Sequence, residues 1–141
     1  MYKLFVLLFV LFSFILQAQT NLKPDVRLYS KYTQDYLENL IIKNPNLLEY
    51  LNFSVDNSYK ISFNNDFSKY TDIPNIKKIN ILTKGYFEAS TIDVSTFNLM
   101  EYDFIRNRDT RTYYKLADSG AILVLFSEQE LLKKFKTSKI K

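Results

Sequence analysis

Two carboxylates two positions apart are the first candidate for chemistry in this sequence. Glu101 and Asp103 stand in a segment, 97–105, that is predicted to be a strand. Because residues two apart on a strand point to the same side, the sequence predicts a carboxylate pair there. Such a pair can perform acid–base hydrolysis or bind a hard cation. The competing interpretation is a solvated strand face, because two acids alone are a weak signal.

Arginine is concentrated in one short stretch, whereas the rest of the chain uses lysine. Three of the four arginines fall within six residues: Arg106, Arg108 and Arg111. The planar guanidinium binds a carboxylate or phosphate in bidentate fashion. We therefore predict an anion or partner contact at this loop, with Tyr113 on the strand that follows. The alternative is pairing of the arginines with Asp103 and Asp109 on an exposed rim.

Two further sets of residues could bind a partner. Tyrosines on strands could stack on sugars or bases, or simply pack in the sheet: Tyr102, Tyr113 and Tyr114. The last nine residues carry five lysines that could attract anionic lipid, lipopolysaccharide or an acidic protein: Lys133, Lys134, Lys136, Lys139 and Lys141. The alternative for this basic segment is a solvated, frayed terminus.

The net charge of +4 does not describe the body of the protein. Without Lys3 and the five terminal lysines, the 15 acidic residues outnumber the remaining basic ones. We therefore expect no nucleic-acid partner, and any membrane contact should come through the basic terminus.

The composition excludes several chemistries. The 141-residue chain has no His and no Cys, so Ser-His-Asp and Cys-His nucleophiles, His/Cys metal sites and disulfides are excluded. Its two glycines, Gly85 and Gly120, are too far apart for a phosphate-binding glycine loop. We predict no cofactor, no metal and no enzymatic activity.

The first residues have the order of a secretory signal peptide. A basic start with Lys3 precedes the apolar run Leu4 to Leu16, and small and polar residues follow. We predict cleavage after Ala18 or one residue later. An uncleaved anchor is the alternative, although the run is shorter than a membrane span. A Cys-free exported chain of this size is typical of a bacterial envelope, either periplasmic or secreted.

The elements that position these residues follow from periodicity. After an extended lead, 21–29, a helix is predicted from near Ser30 or Thr33, and a second one begins at Asn44-Pro45. Their apolar faces share helical spacing and predict a hairpin: Tyr36, Leu37, Leu40 and Ile41, then Leu47, Leu48, Leu51 and Val55.

Five strands are predicted after the hairpin, over 58–63, 76–82, 97–105, 110–117 and 121–126, the last in the centre of the sheet. Residues 118–120 suit a tight hairpin loop. Ser127 and Glu130 have capping-box spacing and start a short C-terminal helix. We expect an α+β fold, in which the helical hairpin packs on a mostly antiparallel sheet. The predicted organisation is a leader at 1–18, one domain at 19–132 and a basic tail at 133–141.

Three stretches of the sequence resemble small uncharacterised exported proteins of Bacteroidota-type bacteria. They are the run from Lys43 to Asn52, its continuation from Asp56 to Ile61, and the end of the leader from Leu16 to Gln19. Some of those proteins accompany the type IX secretion and gliding machinery. The resemblance implies an accessory role in such a system and assigns no functional residue.

Three functions remain open from the sequence. The leading hypothesis is a non-catalytic accessory protein that binds another envelope protein. The first alternative is a small-ligand-binding domain with a pocket between sheet and helices. The second is a carboxylate-dependent hydrolase that uses Glu101 or Asp103.

Overall fold

A computed structural model describes residues 22–63, 80–84, 87–88, 93–116, 119 and 121–140. Outside these residues lie the predicted leader, the two glycines Gly85 and Gly120, and most of the strand predicted at 76–82. Within the described part of the chain, no helix combines the length and apolar character needed to cross a membrane.

The predicted helical hairpin is confirmed. Helix α1 spans Gln34–Lys43, and α2 spans Pro45–Asn57. The Thr33 side chain caps α1, while Asn44 caps α2 by accepting from the Leu47 amide at 3.2 Å. The lead before α1 is not extended as predicted. It forms a 3-10 turn, Val26–Ser30, because the Asp25 carboxylate accepts from the Arg27 amide.

Six strands are present among the described residues: β1 Tyr59–Phe63, β2 Asn80–Ile81, β3 Thr83–Lys84, β4 Phe87–Glu88, β5 Thr112–Lys115 and β6 Ala121–Leu125. One sheet has the order β1-β6-β5-β2, and β3 pairs with β4 separately. The pairs β1–β6 and β6–β5 are antiparallel, whereas the two-residue β2 is parallel to β5. The α+β class is confirmed, while the main antiparallel part has three strands and not about five.

Strand β6 occupies the centre of the sheet, as its apolar sequence predicted. All five of its residues are buried. Leu123 and Leu125 face one cluster with Tyr114, and Ile122 and Val124 face the opposite side with Tyr113. Burial on both faces explains why this strand has no alternating pattern.

The prediction of a strand at 97–105 is wrong. Residues Val94–Thr96 and Leu99–Glu101 form 3-10 turns instead. In each turn, the first side chain accepts a hydrogen bond from the backbone amide two residues further on. The Ser95 amide donates to the Asp93 side chain at 2.8 Å, and the Met100 amide donates to the Asn98 side chain at 3.1 Å. These local hydrogen bonds compete with a strand ladder. Among the described residues, the segment 97–105 has one isolated β-bridge, between Thr83 and Asp103.

This irregular segment joins two apolar clusters. Leu99 packs with the sheet residues, whereas the next residue, Met100, packs among the hairpin residues. Phe97, Tyr102 and Phe104 also lie against the sheet cluster. Residues 93–104 therefore form a layer, which we call the linking layer, between the hairpin and the sheet. The sequence had predicted that the hairpin packs directly on the sheet.

The predicted C-terminal helix is confirmed as α3, Glu128–Ser138. Ser127 and Glu130 form the capping box that their spacing predicted. The helix continues through Ser138, so most of the basic segment 133–141 is helical.

We predict that Leu123→Ala lowers the free energy of unfolding by about 2–5 kcal/mol, because it leaves a cavity in the central strand. Leu123 is fully buried, whereas Ile42 is 84% exposed and provides the control Ile42→Ala. Urea denaturation of both variants tests this assignment, and equal losses would contradict a core centred on β6.

Candidate functional site

Residues 106–111, which we call the arginine loop, are held by their backbone against the first turn of α3. The amides of Glu128 and Gln129 donate to the carbonyls of Asn107 and Arg108 at 3.0 and 3.1 Å. The next amide, of Glu130, donates to the Ser127 hydroxyl at 3.2 Å. Since the first amides of a helix have no partner within the helix, the loop supplies acceptors that α3 requires.

Arg111 is fixed by Glu130, a partner that the sequence analysis did not consider. Its Nη2 lies 2.7 Å from Oε1, and its Nε lies 3.0 and 3.2 Å from the two carboxylate oxygens. Glu130 Oε2 also accepts from the Ser127 amide at 3.1 Å. The hydrogen bonds from Arg111 lower the pKa of Glu130, and partial burial opposes that shift.

Two cationic side chains lie against the aromatic ring of Phe126. The Arg111 guanidinium carbon lies 5.6 Å from the centre of its ring, and the Lys134 ammonium lies 3.3 Å from it. Burial lowers the pKa of Lys134, while the nearby Glu130 carboxylate opposes that shift. The aromatic ring thus stabilises positive charge at the edge of α3.

Two depressions share Glu130 as a lining residue. The first is a cavity of about 430 Å³ beside the loop, lined by Asp109, Thr110, Arg111, Tyr113 and Glu130. The second, which we call the α2–α3 groove, has a volume of about 620 Å³. It is lined by Phe53 and Asn57 of α2 and by the α3 residues Glu130, Lys133, Lys134, Thr137 and Ser138.

The three clustered arginines do not converge on one site. Arg106 turns toward the helical hairpin, where its neighbours include Tyr32 and Tyr50. Arg108 is exposed, and only Arg111 lies at the cavity with Tyr113.

The basic residues at the end of the chain are distributed over several contacts. Lys133 and Lys134 line the α2–α3 groove. Lys139 pairs with Glu49 of α2 and lies 5.3 Å from the Phe135 ring centre. Lys136 is exposed in the last turn of α3, and Lys141 lies outside the described residues.

The carboxylate pair loses the geometry on which its prediction depended. Glu101 ends a 3-10 turn and Asp103 follows in a bridge, so the two do not share a strand face. In the described part of the chain, no group of three or more His, Cys, Asp or Glu residues forms a candidate metal site.

The predicted tyrosine platform is not formed. Tyr102 stacks on Phe97 with ring centres 5.2 Å apart. Tyr114 is buried, and its hydroxyl accepts from the Ile105 amide at 2.8 Å. Tyr113 faces the opposite side of β5, so packing explains the tyrosines of this strand.

Sequence reasoning missed the importance of Phe53 and Phe126, and it treated Glu130 only as a helix cap. Their proximity depends on how α2, β6 and α3 meet, which no local signal encodes. Comparison with protein-family models, curated proteins and solved structures finds no match for this chain. The site is therefore interpreted from its own geometry.

We predict that Glu130→Gln lowers the melting temperature at pH 7 and that the difference from the wild type shrinks as the pH falls below about 4.5. The folded-state pKa of Glu130 lies below its ordinary value of 4.5. Its pairing therefore stabilises the fold above that value and is lost as the carboxylate becomes protonated. Thermal melts from pH 7 to pH 3 measure the effect.

The matched control for this prediction is Glu38→Gln. Glu38 lies on the exposed side of α1, where its carboxylate accepts from the Gln34 side chain at 2.7 Å. We expect this variant to melt at pH 7 much as the wild type does, because its side chain is exposed. A Glu130→Gln effect that is constant over the whole pH range would contradict a stabilising charge pair.

Proposed function

We propose that this protein is an exported, non-catalytic accessory protein that binds an acidic segment of another envelope protein at the α2–α3 groove. The observation that carries the proposal is the combination of Lys133, Lys134 and the apolar Phe53 in one open groove. Apolar contact area next to fixed cations supports the binding of a partner that carries both apolar and acidic side chains.

The charge of the groove supports an acidic partner. Glu130 is the one carboxylate among its lining residues, and the guanidinium of Arg111 already pairs with it. The carboxylate of Glu130 opposes the charge of Lys134 only in part, so the lysines leave an excess of positive charge on the described groove walls. Complementary charge steers a partner toward the groove and selects against basic surfaces.

Export, cleavage near Ala18 and a place in a Bacteroidota-type secretion or gliding system complete the proposal. They are supported by the order of residues 1–18 and by the resemblance of the run from Lys43 to Asn52. The envelope is also where a basic helix would meet anionic lipid, so membrane contact is an outcome that the binding experiment must separate.

A second candidate is the binding of a small polar ligand in the cavity beside the loop, whose lining also includes the carboxylates of Asp109 and Glu130. Arg111, Thr110 and Tyr113 supply donors around a volume of about 430 Å³, which is within the range of ligand sites. The cavity is lined by residues 109–111 of the loop, by Tyr113 of β5 and by Glu130 of α3.

We predict that Lys133→Glu with Lys134→Glu weakens capture of the partner at least about tenfold at low salt, since two attractive contacts become repulsive. The bait is the mature chain, the source is the native envelope fraction, and cross-linking identifies the partner segment. The control reverses two exposed lysines elsewhere, Lys23→Glu with Lys43→Glu.

The proposal requires capture that depends on the groove lysines and a cross-linked partner segment rich in Asp and Glu. Capture that survives the groove variant, or a cross-linked segment without acidic residues, would overturn it. Loss of binding to anionic vesicles in the groove variant but not in the control, without a captured protein, would assign the lysines to lipid and overturn the proposal. Deletion of residues 133–141 is a poorer test, because it removes half of α3.

We predict that the protein isolated from its native envelope begins at Gln19 or Thr20, because the predicted leader ends at Ala18 or one residue later. Amino-terminal sequencing measures this directly. A mature protein that keeps Lys3 and the apolar run would show an uncleaved anchor, contradicting cleavage but not the binding proposal.

A further inference from the structure

The arginines of this chain differ in how their charge is neutralised. Arg27 forms ion pairs with Asp25 and Asp56 at 2.7 and 2.6 Å, and Arg111 pairs with Glu130 at 2.7 Å. Arg106 is also partly buried, yet no carboxylate of the described residues lies within ion-pair distance. Its Nε is enclosed and has no hydrogen-bond partner in the structure.

This difference appears in the pKa values of Arg27 and Arg106, whose side chains are both partly buried. Hydrogen bonds from the Arg27 guanidinium to the carboxylates of Asp25 and Asp56 raise the pKa of Arg27 above its ordinary value. Burial lowers the pKa of Arg106, and the neighbouring Tyr50 hydroxyl and the more distant Glu128 carboxylate only oppose that shift. A cation that is removed from water without a paired anion reduces the stability of the fold.

A second cation lies beside Arg106. The Lys31 ammonium is 3.9 Å from the centre of the Phe104 ring, and the Arg106 guanidinium carbon is 5.8 Å from the same point. Burial lowers the pKa of Lys31, Asp103 opposes the shift, and the charge of Arg106 adds to it. Two cations therefore lie at one aromatic ring, and the positive charge of Arg106 disfavours that of Lys31.

Hydroxyl groups complete the surroundings. Tyr50 lies within reach of the Arg106 guanidinium, and Tyr32 lies near it. Burial raises the pKa of both tyrosines, so their hydroxyls remain protonated donors at neutral pH. Glu128 faces this cluster from α3, and Asp103 faces Lys31 from the linking layer.

We propose that Arg106, Lys31 and Tyr50 form a binding site for a phosphate group. The site is separate from the α2–α3 groove and does not depend on the proposed function. A guanidinium fork, an ammonium and a phenol are donors of different direction, which suits a tetrahedral anion better than a planar carboxylate. The two positive charges also match the charge of a phosphate monoester, about −1.5 to −2 at pH 7.

The test titrates the mature wild-type protein with inorganic phosphate, and with acetate at equal ionic strength, by calorimetry and by NMR. We expect saturable phosphate binding, at least about tenfold weaker in Arg106→Gln and also weaker in Lys31→Gln. Arg108→Gln, in the same loop but exposed, is the matched control and should bind as the wild type does. Absence of saturable binding, equal affinity for acetate, or equal loss in Arg108→Gln would overturn the proposal.

Stability without phosphate separates a binding arginine from a structural one. We expect Arg106→Gln to melt at the same temperature as the wild type or a few degrees higher, because it removes an unpaired buried charge. A clear fall in melting temperature would overturn the proposal. If Arg106→Gln does not fold, the Lys31→Gln titration still decides it, since unchanged phosphate affinity there contradicts a two-cation site.

The source of the phosphate group is distinguished by vesicles. Vesicles that contain an anionic phospholipid are compared with neutral ones, using wild type, Arg106→Gln and Arg108→Gln. Binding to anionic vesicles that Arg106→Gln alone abolishes assigns the site to a lipid headgroup. Saturable binding of inorganic phosphate without any vesicle binding assigns it to a free phosphate or a soluble phosphate ester.

Discussion

The contact between the arginine loop and the first turn of α3 is the constraint on which the candidate sites depend. The carbonyls of Asn107 and Arg108 accept from amides that the helix itself cannot satisfy. Ser127 and Glu130 complete the turn, and Glu130 then fixes Arg111. The same loop leads into β5, whose Thr112 lies opposite Leu125 at the end of β6. Helix, loop and sheet therefore meet at one corner.

Because the loop is held by its backbone, its arginine side chains are available for different contacts. Arg111 turns toward α3 and Phe126, where its charge is paired. Arg106 turns toward the hairpin, where its charge is unpaired and Lys31 adds a second cation. A structural arginine and a candidate binding arginine thus stand five residues apart. Pairing, not proximity in the sequence, distinguishes their roles.

The linking layer explains how a small α+β chain connects its hairpin to its sheet. Asp93 and Asn98 start 3-10 turns there, and the consecutive residues Leu99 and Met100 then enter two different apolar clusters. A regular strand would also place neighbouring side chains on opposite faces, which is why two adjacent residues in different clusters are compatible with either structure. The side-chain caps decided between strand and turn, and the proposed phosphate site includes Phe104 of this layer.

Local signals in the sequence determined the two hairpin helices, their caps at Thr33 and Asn44, strand β1, the central β6 and the capping box of α3. Each depends on residues within a few positions, whose hydrogen bonds or apolar periodicity act before any long-range contact forms. The excluded His and Cys chemistries likewise follow from composition alone. Only the tertiary structure decided that Glu130 pairs with Arg111, 19 residues away, and that Arg106 has no carboxylate partner among the described residues. Charge pairing depends on distances in space, and those are set by the packing of α3 against the loop and the hairpin.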